Sequence, residues 1–418
     1  MNRPQAPHRP MFPFRSVVLG ALIPAFIHAI GVGAMVPVIA PSATSLGASL
    51  AAAGFIAALL HIGQILADLP AGAFAARVGD RRAMLVAAVV AGLGFAGAAL
   101  SPGLITLGLA ILLIGAASAV FHLARHSYLT EITPPLQRAR VMSTLGGVHR
   151  IGQFLGPFLG ALVIYSGEVH AVYLLGTLTS VAAAATVLLS REEKRSPAVT
   201  DGVGTGEATP LAPEPSLLAL ARNYRSMLST LGVGVLLIGA IRGARETAIP
   251  LWGEYLGLDP AVTSLIYGLA GGVDMLLFYP AGKLMDRMGR LWVGVPGTCV
   301  MGAALLAMPF TVGPASLAAV AAVLGFGNGM TAGILMTLGS DVAPAAGRAR
   351  FLGMWRVLTD TGAAGGPLVV SAGAALGSLA AGIWAAGVLG PAAGGALARW
   401  LPRWSVHANR TTRRRAGL

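Results

Sequence analysis

The chain has 418 residues, of which 55% are apolar and only 11% charged, against roughly 25% charged residues in an ordinary soluble domain. That composition excludes a water-soluble fold of this size. The 29 Lys and Arg outnumber the 16 Asp and Glu and leave a net charge of +13; in so apolar a chain the excess points to a membrane and not to nucleic acid.

Twelve apolar segments, in chain order 17–40, 50–75, 83–101, 104–130, 141–165, 171–189, 226–251, 261–283, 291–309, 315–340, 351–376 and 378–400, are long enough to cross a hydrocarbon core that needs about 20 helical residues. The first follows a tail carrying Arg3, Arg9 and Arg15 and has no small-residue cleavage site close after it, so it reads as a retained helix. Between the sixth and seventh segments lies a run that begins Arg191-Glu192-Glu193-Lys194-Arg195 and continues through Pro197, Gly202, Pro210 and Pro213. Low hydrophobicity with Pro and Gly predicts a flexible linker there. The expected organisation is a cytoplasmic tail 1–16, a six-helix bundle 17–190, a cytoplasmic linker 191–225, a second six-helix bundle 226–400 and a basic cytoplasmic tail 401–418. The fold class is an all-α integral membrane protein.

Of the 29 basic residues, 24 fall in the tails, the linker and alternate loops, while the intervening loops around 41–49, 102–103, 166–170, 252–260, 310–314 and 377 hold none. Cytoplasmic loops are enriched in Lys and Arg, so both termini are expected in the cytoplasm and the chain in the plasma (inner) membrane. The 57 glycines and 26 prolines are compatible with membrane helices, where small residues let backbones approach. The single cysteine, Cys299, excludes a disulfide framework and a thiolate metal site. No phosphate-binding loop is present, so an ATP-driven pump is unsupported. No cofactor, metal or enzymatic activity is expected.

The two halves repeat. Pro70-Ala71-Gly72 returns as Pro280-Ala281-Gly282, Arg138-Ala139-Arg140 as Arg348-Ala349-Arg350, Gly152 with Gly156-Pro157 as Gly362 with Gly366-Pro367, and Glu131 as Asp341, every pair 210 residues apart. A constant offset over four features indicates duplicated bundles.

On these residues the chain resembles the major facilitator superfamily, and within it the twelve-helix drug:proton antiporters. The signature loop of that family is matched by Gly282-Lys283-Leu284-Met285-Asp286-Arg287-Met288-Gly289-Arg290, and more loosely by Gly72 to Arg82, which keeps Arg77, Gly79 and Arg81 but has Ala76 where the family has aspartate. Asp68, on the same helix face, stands as the substitute. The resemblance implies a gate latch, with the acid meeting the positive end of a helix in the opposite bundle and the arginines holding the inner surface. Gly152, Gly156, Pro157 and Gly160 resemble the exporter-associated motif of the fifth helix, although helix packing by small residues gives the same spacing. The arginine that such antiporters carry in the fourth helix is replaced by Ile111.

Five arginines, Arg125, Arg150, Arg242, Arg245 and Arg356, and four acids, Asp68, Glu246, Asp274 and Asp360, fall within the spans. Each costs roughly 2.5–3.5 kcal/mol at mid-helix, so they should pair or face a wet cavity. Spacing of i,i+4 allows Arg242 with Glu246 and Arg356 with Asp360. The family fold implies Arg150 with Asp274 and Asp68 with Arg356 across the bundle interface. Asp68, Arg125, Arg150, Asp274, Arg356 and Asp360 are therefore the expected coupling and cavity residues. His28, His61, His122, His126 and His149 are alternatives, because histidine titrates near neutrality.

The resulting expectation is a monomeric secondary transporter working by alternating access, with a small-molecule substrate, protons and the lipid bilayer as partners. Proton-coupled efflux of drug-like or amphiphilic compounds is the first reading. Uptake or exchange of an organic anion is the second, and it requires basic cavity groups without carboxylate partners. A non-transporting receptor or scaffold on the same fold is the third.

Overall fold

The computed structural model describes residues 17–134, 137–190, 217–344 and 346–417. The expected tail 1–16 and residues 191–216 of the expected linker lie outside the described residues. The first bundle consists of α1 (Val18–Ser45), α2 (Leu50–Val78), α3 (Asp80–Ala99), α4 (Leu104–Ile132), α5 (Arg138–Ser166) and α6 (Ala171–Leu189). The second consists of α7 (Leu231–Tyr255), α8 (Pro260–Met288), α9 (Leu291–Ala307), α10 (Pro314–Val342), α11 (Arg348–Ala375) and α12 (Leu379–Trp404). Among the described residues, eleven helical segments are long and apolar enough to span a membrane. The exception, α11, is 28 residues long but carries Arg348, Arg350, Arg356 and Asp360. It lies between α7, α12 and α2, where neighbouring helices replace the lipid that those charges would exclude.

Local chemistry sets the ends. Ser49 caps α2 by accepting the Ala52 N–H, and Asp259 caps α8 by accepting that of Ala261. The signature-loop glycines Gly79 and Gly289 end α2 and α8 at φ +86° and +102°, a backbone region that side-chain-bearing residues rarely adopt. One helix is not continuous. At Thr331–Gly333, α10 breaks into Pro314–Met330 and Ile334–Val342, with Gly333 at φ +78°.

The packing repeats with the sequence. In the first bundle α1 packs on α5 and α6, α2 on α4, and α3 on α6; in the second α7 packs on α11 and α12, α8 on α10, and α9 on α12. Glycines permit the close pairs: a methyl placed on Gly156 would lie 2.5 Å from Ala34 N, and one on Gly366 would press on the Ala240 carbonyl of α7. The bundles meet along α2 with α11 and α5 with α8.

The core is divided unevenly. Towards the arginine-free end one cluster joins Val38, Leu60, Phe95 and Tyr173 of the first bundle to Ile249, Trp252, Leu305 and Ile383 of the second. Towards the arginine-rich end each bundle keeps its own core, with Met84, Phe121 and Leu145 in the first and Leu231, Phe351 and Trp355 in the second. The bundles are thus fused at one end and separate at the other. At the arginine-free end Thr44 Oγ1 donates to Glu254 Oε2 at 2.6 Å, and Ser371 Oγ to the Ala51 carbonyl at 2.6 Å.

Beyond Trp404 the chain folds back under the second signature loop. The His407 and Ala408 carbonyls accept from the N–H groups of Arg290 and Leu291, and Arg413 Nη1 donates to the Asp286 carbonyl at 2.6 Å. A short helix, α13 (Arg410–Arg415), is capped by Asn409.

Candidate functional site

A cavity of about 260 Å³ lies between the bundles, walled by His61, His122, His149 and Arg150 on one side and by Arg242, Arg245, Tyr267 and Asp360 on the other. It sits beneath the fused end, so the shared core and the Thr44–Glu254 hydrogen bond close it on that side.

Two arginine–carboxylate sets cross the bundle interface among the described residues. Arg150 Nη1 of α5 lies 3.0 Å from Asp274 Oδ2 of α8, with its guanidinium 4.6 Å from the Phe278 ring centroid. Arg356 of α11 stands between two carboxylates, 3.4 Å from Asp68 Oδ1 of α2 and 3.3 Å from Asp360 Oδ2 on its own helix. Both pairs drawn from the family fold are therefore present, as is the i,i+4 pair Arg356–Asp360.

The Arg242–Glu246 pair is not. Arg242 Nη2 donates to the Thr331 carbonyl at 2.6 Å and to its hydroxyl at 3.0 Å. At the break in α10 that carbonyl accepts the Ile334 N–H at 3.1 Å in a tight turn, and the guanidinium is a second donor on its other lone pair. Glu246 turns instead to His61 of the opposite bundle, 3.4 Å away. The sequence signal for this exchange is the glycine run Gly325, Gly327, Gly329 and Gly333, which marks α10 as breakable.

Two buried arginines make no contact ion pair with a carboxylate among the described residues, although Asp274 and Glu246 act on Arg245 through space. Arg245, 8% exposed, has neither Nε nor Nη1 hydrogen-bonded among the described residues, and its guanidinium faces the Tyr267 ring at 5.9 Å. Arg125, 3% exposed, likewise leaves Nε and Nη1 without partners there. Beside it, three histidines from three helices form a row. The His28 and His122 ring centroids are 5.9 Å apart and those of His122 and His149 5.1 Å, while His28 Nε2 contacts Ser118 Oγ at 3.2 Å. His28 Nδ1, His122 Nε2 and His149 Nδ1 have no hydrogen-bond partner among the described residues. His126 is set apart, its Nδ1 2.8 Å from the His122 carbonyl.

The signature loops differ from the expected latch. Asp286 is 78% exposed and meets Arg290 of its own loop at 3.5 Å, not a helix of the opposite bundle. Arg290 pairs with Asp341 at 3.0 Å within the second bundle, and Arg81 donates to the Val187, Leu188 and Ser190 carbonyls at the end of α6. These arginines cap helix C-termini inside their own bundles, where the partial negative charge of the carbonyls favours them. Arg77 and Arg287 are exposed, Gly72 is also exposed, and a methyl on Gly282 would meet open space. The contact between bundles is made instead by Asp68. On α5, methyls on Gly152 and Gly160 would lie 2.6 Å from the Phe26 carbonyl and 3.3 Å from the Ala34 carbonyl of α1, with Pro157 buried between them. This motif seats α5 on α1, as Gly362 and Gly366 seat α11 on α7.

The family model described as Major Facilitator Superfamily matches residues 21–367. "Probable anion transporter 6" of Oryza sativa subsp. japonica is 30% identical over 126 residues, which cover 30% of this chain and 28% of that protein. Among solved structures, a bacterial homologue of the human lysosomal transporter Spinster, inward-facing and unoccupied, aligns with TM-score 0.73 at 15% identity over 92% of this chain and 96% of that one. The human organic anion transporter MFSD10 (TETRAN) aligns with TM-score 0.64 at 17% identity, covering 92% and 99%. A D-xylose-proton symporter aligns with TM-score 0.67 at 16% identity, covering 92% and 96%. At these identities the structures establish the shared fold.

Proposed function

Because the chain belongs to the Major Facilitator Superfamily, whose model covers most of it, we propose that it carries a small organic anion across the membrane by alternating access. One observation carries this reading. Arg245 is buried in the cavity wall with Nε and Nη1 unbonded among the described residues. Asp274 and Glu246 act on this guanidinium through space but neither accepts from its Nε or Nη1, and an anionic substrate supplies the acceptor that is missing. A lipophilic cation would need the reverse, yet each cavity carboxylate already faces a basic group: Glu246 faces His61, Asp274 faces Arg150 and Asp360 faces Arg356.

Size supports the same choice. At about 260 Å³ the cavity falls just under the roughly 300–1,000 Å³ of ordinary ligand pockets, which suits a small solute better than a bulky amphiphile. The helix-5 glycines that resemble the exporter-associated motif have a sufficient role in seating α5 on α1.

Proton coupling is assigned to the Asp68–Arg356–Asp360 group. It has two carboxylates for one guanidinium, and it spans α2 and α11, so rocking of the bundles must separate Arg356 from Asp68. Release of that cation leaves a carboxylate that a proton can neutralise. The arginine-rich end is assigned to the cytoplasm on the charge bias of the loops, which makes the described conformation open towards the cell interior.

The test is calorimetric titration of the purified protein with a panel of organic acids and of lipophilic cations. Acids should bind, and Arg245→Gln should weaken them by at least about tenfold. Binding of the cations alone would overturn the reading.

A further inference from the structure

Resting on the anion reading above, we infer that the substrate is a short dianion, a dicarboxylate held by one end on each bundle. The second bundle contributes Arg245 with Arg242 one turn away on α7. The first contributes His122 and His149, which line the facing wall.

The first-bundle wall has the chemistry of an anion subsite. His122 Nε2 and His149 Nδ1 are buried without partners among the described residues, although their rings touch at 5.1 Å between centroids. An imidazole offers an N–H donor at one nitrogen in its neutral form, and which nitrogen carries it follows the partner it meets. A carboxylate presented to this wall would fix the tautomers and accept from both rings. Behind the rings stands Arg125, three residues after His122 on the same face of α4, with its Nε and Nη1 unbonded. Its charge acts on His28, His122 and His149 together. The wall is therefore positive, rich in donors and closed by no acidic side chain of its own row.

The two walls belong to bodies that move against each other in alternating access. A monoanion satisfies one wall and leaves the other with its buried polar groups unpaired. A dianion satisfies both, and so its binding energy favours the state in which the walls face each other. Selection for a second carboxylate is strong in such a site, because rejecting the analogue that lacks it follows from the donors left empty.

Titrations of the purified full-length chain with succinate, glutarate and adipate, each against its monomethyl ester, test this directly. At least one diacid is expected to bind about tenfold or more tighter than its monoester. His149→Phe and His122→Phe keep a ring of similar shape without the N–H, and should bring that ratio close to one by weakening the diacid far more than the monoester. Arg245→Gln should weaken both ligands. Diacids and monoesters binding alike in the wild-type protein would overturn the dianion inference and leave the anion reading standing. If none of the acids binds, both fail. A preference for diacids that survives both histidine substitutions would overturn the assignment of the second subsite.

Discussion

Arg150 and Asp274 show what spacing alone can and cannot tell. Their pairing across the interface follows from the family resemblance, because that fold sets α5 beside α8, and the 3.0 Å contact is there. Arg242 and Glu246 obey the i,i+4 rule and yet do not meet. Sequence spacing says that two side chains can reach each other, but not what else competes for them. Here the competitors are the Thr331 carbonyl at the break in α10 and the imidazole of His61, neither of which a one-dimensional reading brings near. The same holds for Thr44 and Glu254, which stand 210 residues apart, the offset of the repeat. Removing one member of a buried pair is costly, since the other charge is left behind. Asp274→Asn is therefore expected to destabilise the protein by about 2–4 kcal/mol, read as a lower unfolding temperature in detergent. The double variant with Arg150→Gln should recover part of that loss.

Among the elements, the helices are legible, and the glycines of α10 mark it as breakable without saying where it breaks or what then meets it. Long apolar runs and the positions of arginine place every span to within a few residues, because a bilayer imposes length and charge rules that soluble proteins escape. The break in α10 is not set by composition. Arg242 from another helix joins the Ile334 N–H on the Thr331 carbonyl there, a contact that only the tertiary structure supplies. Glycine spacing on α5 and α11 was readable as a pattern, while its meaning came only with the partner: in both halves the glycines meet the backbone of the bundle's first helix. Gly366→Val should push α11 off α7 and cost about 1–3 kcal/mol, again measured as unfolding temperature, with Gly395→Val, where a methyl meets open space, as the control. The closure at the arginine-free end gives another prediction. Thr44→Val removes the hydrogen bond to Glu254 and should loosen that closure. In a Cys299→Ser background, a thiol introduced as Val36→Cys should then react severalfold faster with an impermeant reagent applied from the arginine-free side. Unchanged labelling would mean that the shared apolar core alone holds the end shut.

At the scale of the whole molecule, duplication explains the architecture and departures from it locate the function. The two bundles repeat their packing, but among the described residues only the second has a broken tenth helix, a cavity-facing arginine pair on its first helix and a terminal segment folded beneath its signature loop. The histidine row belongs to the first bundle alone. These asymmetries distinguish the two walls of the cavity, and a solute bound between them is held by different chemistry on each side. In the proposed rocking cycle, fusion at one end and separation at the other are one limb, and Arg356 leaves Asp68 as the other limb forms. The central claim is that this cycle carries an organic anion by way of Arg245. Counterflow in proteoliposomes tests it most directly: vesicles loaded with unlabelled succinate, glutarate or adipate and diluted into a trace of the same labelled acid. The account predicts transient accumulation of label by the wild-type protein and its loss in Arg245→Gln. Accumulation that Arg245→Gln leaves intact, or counterflow of lipophilic cations with the acids inert, would contradict it.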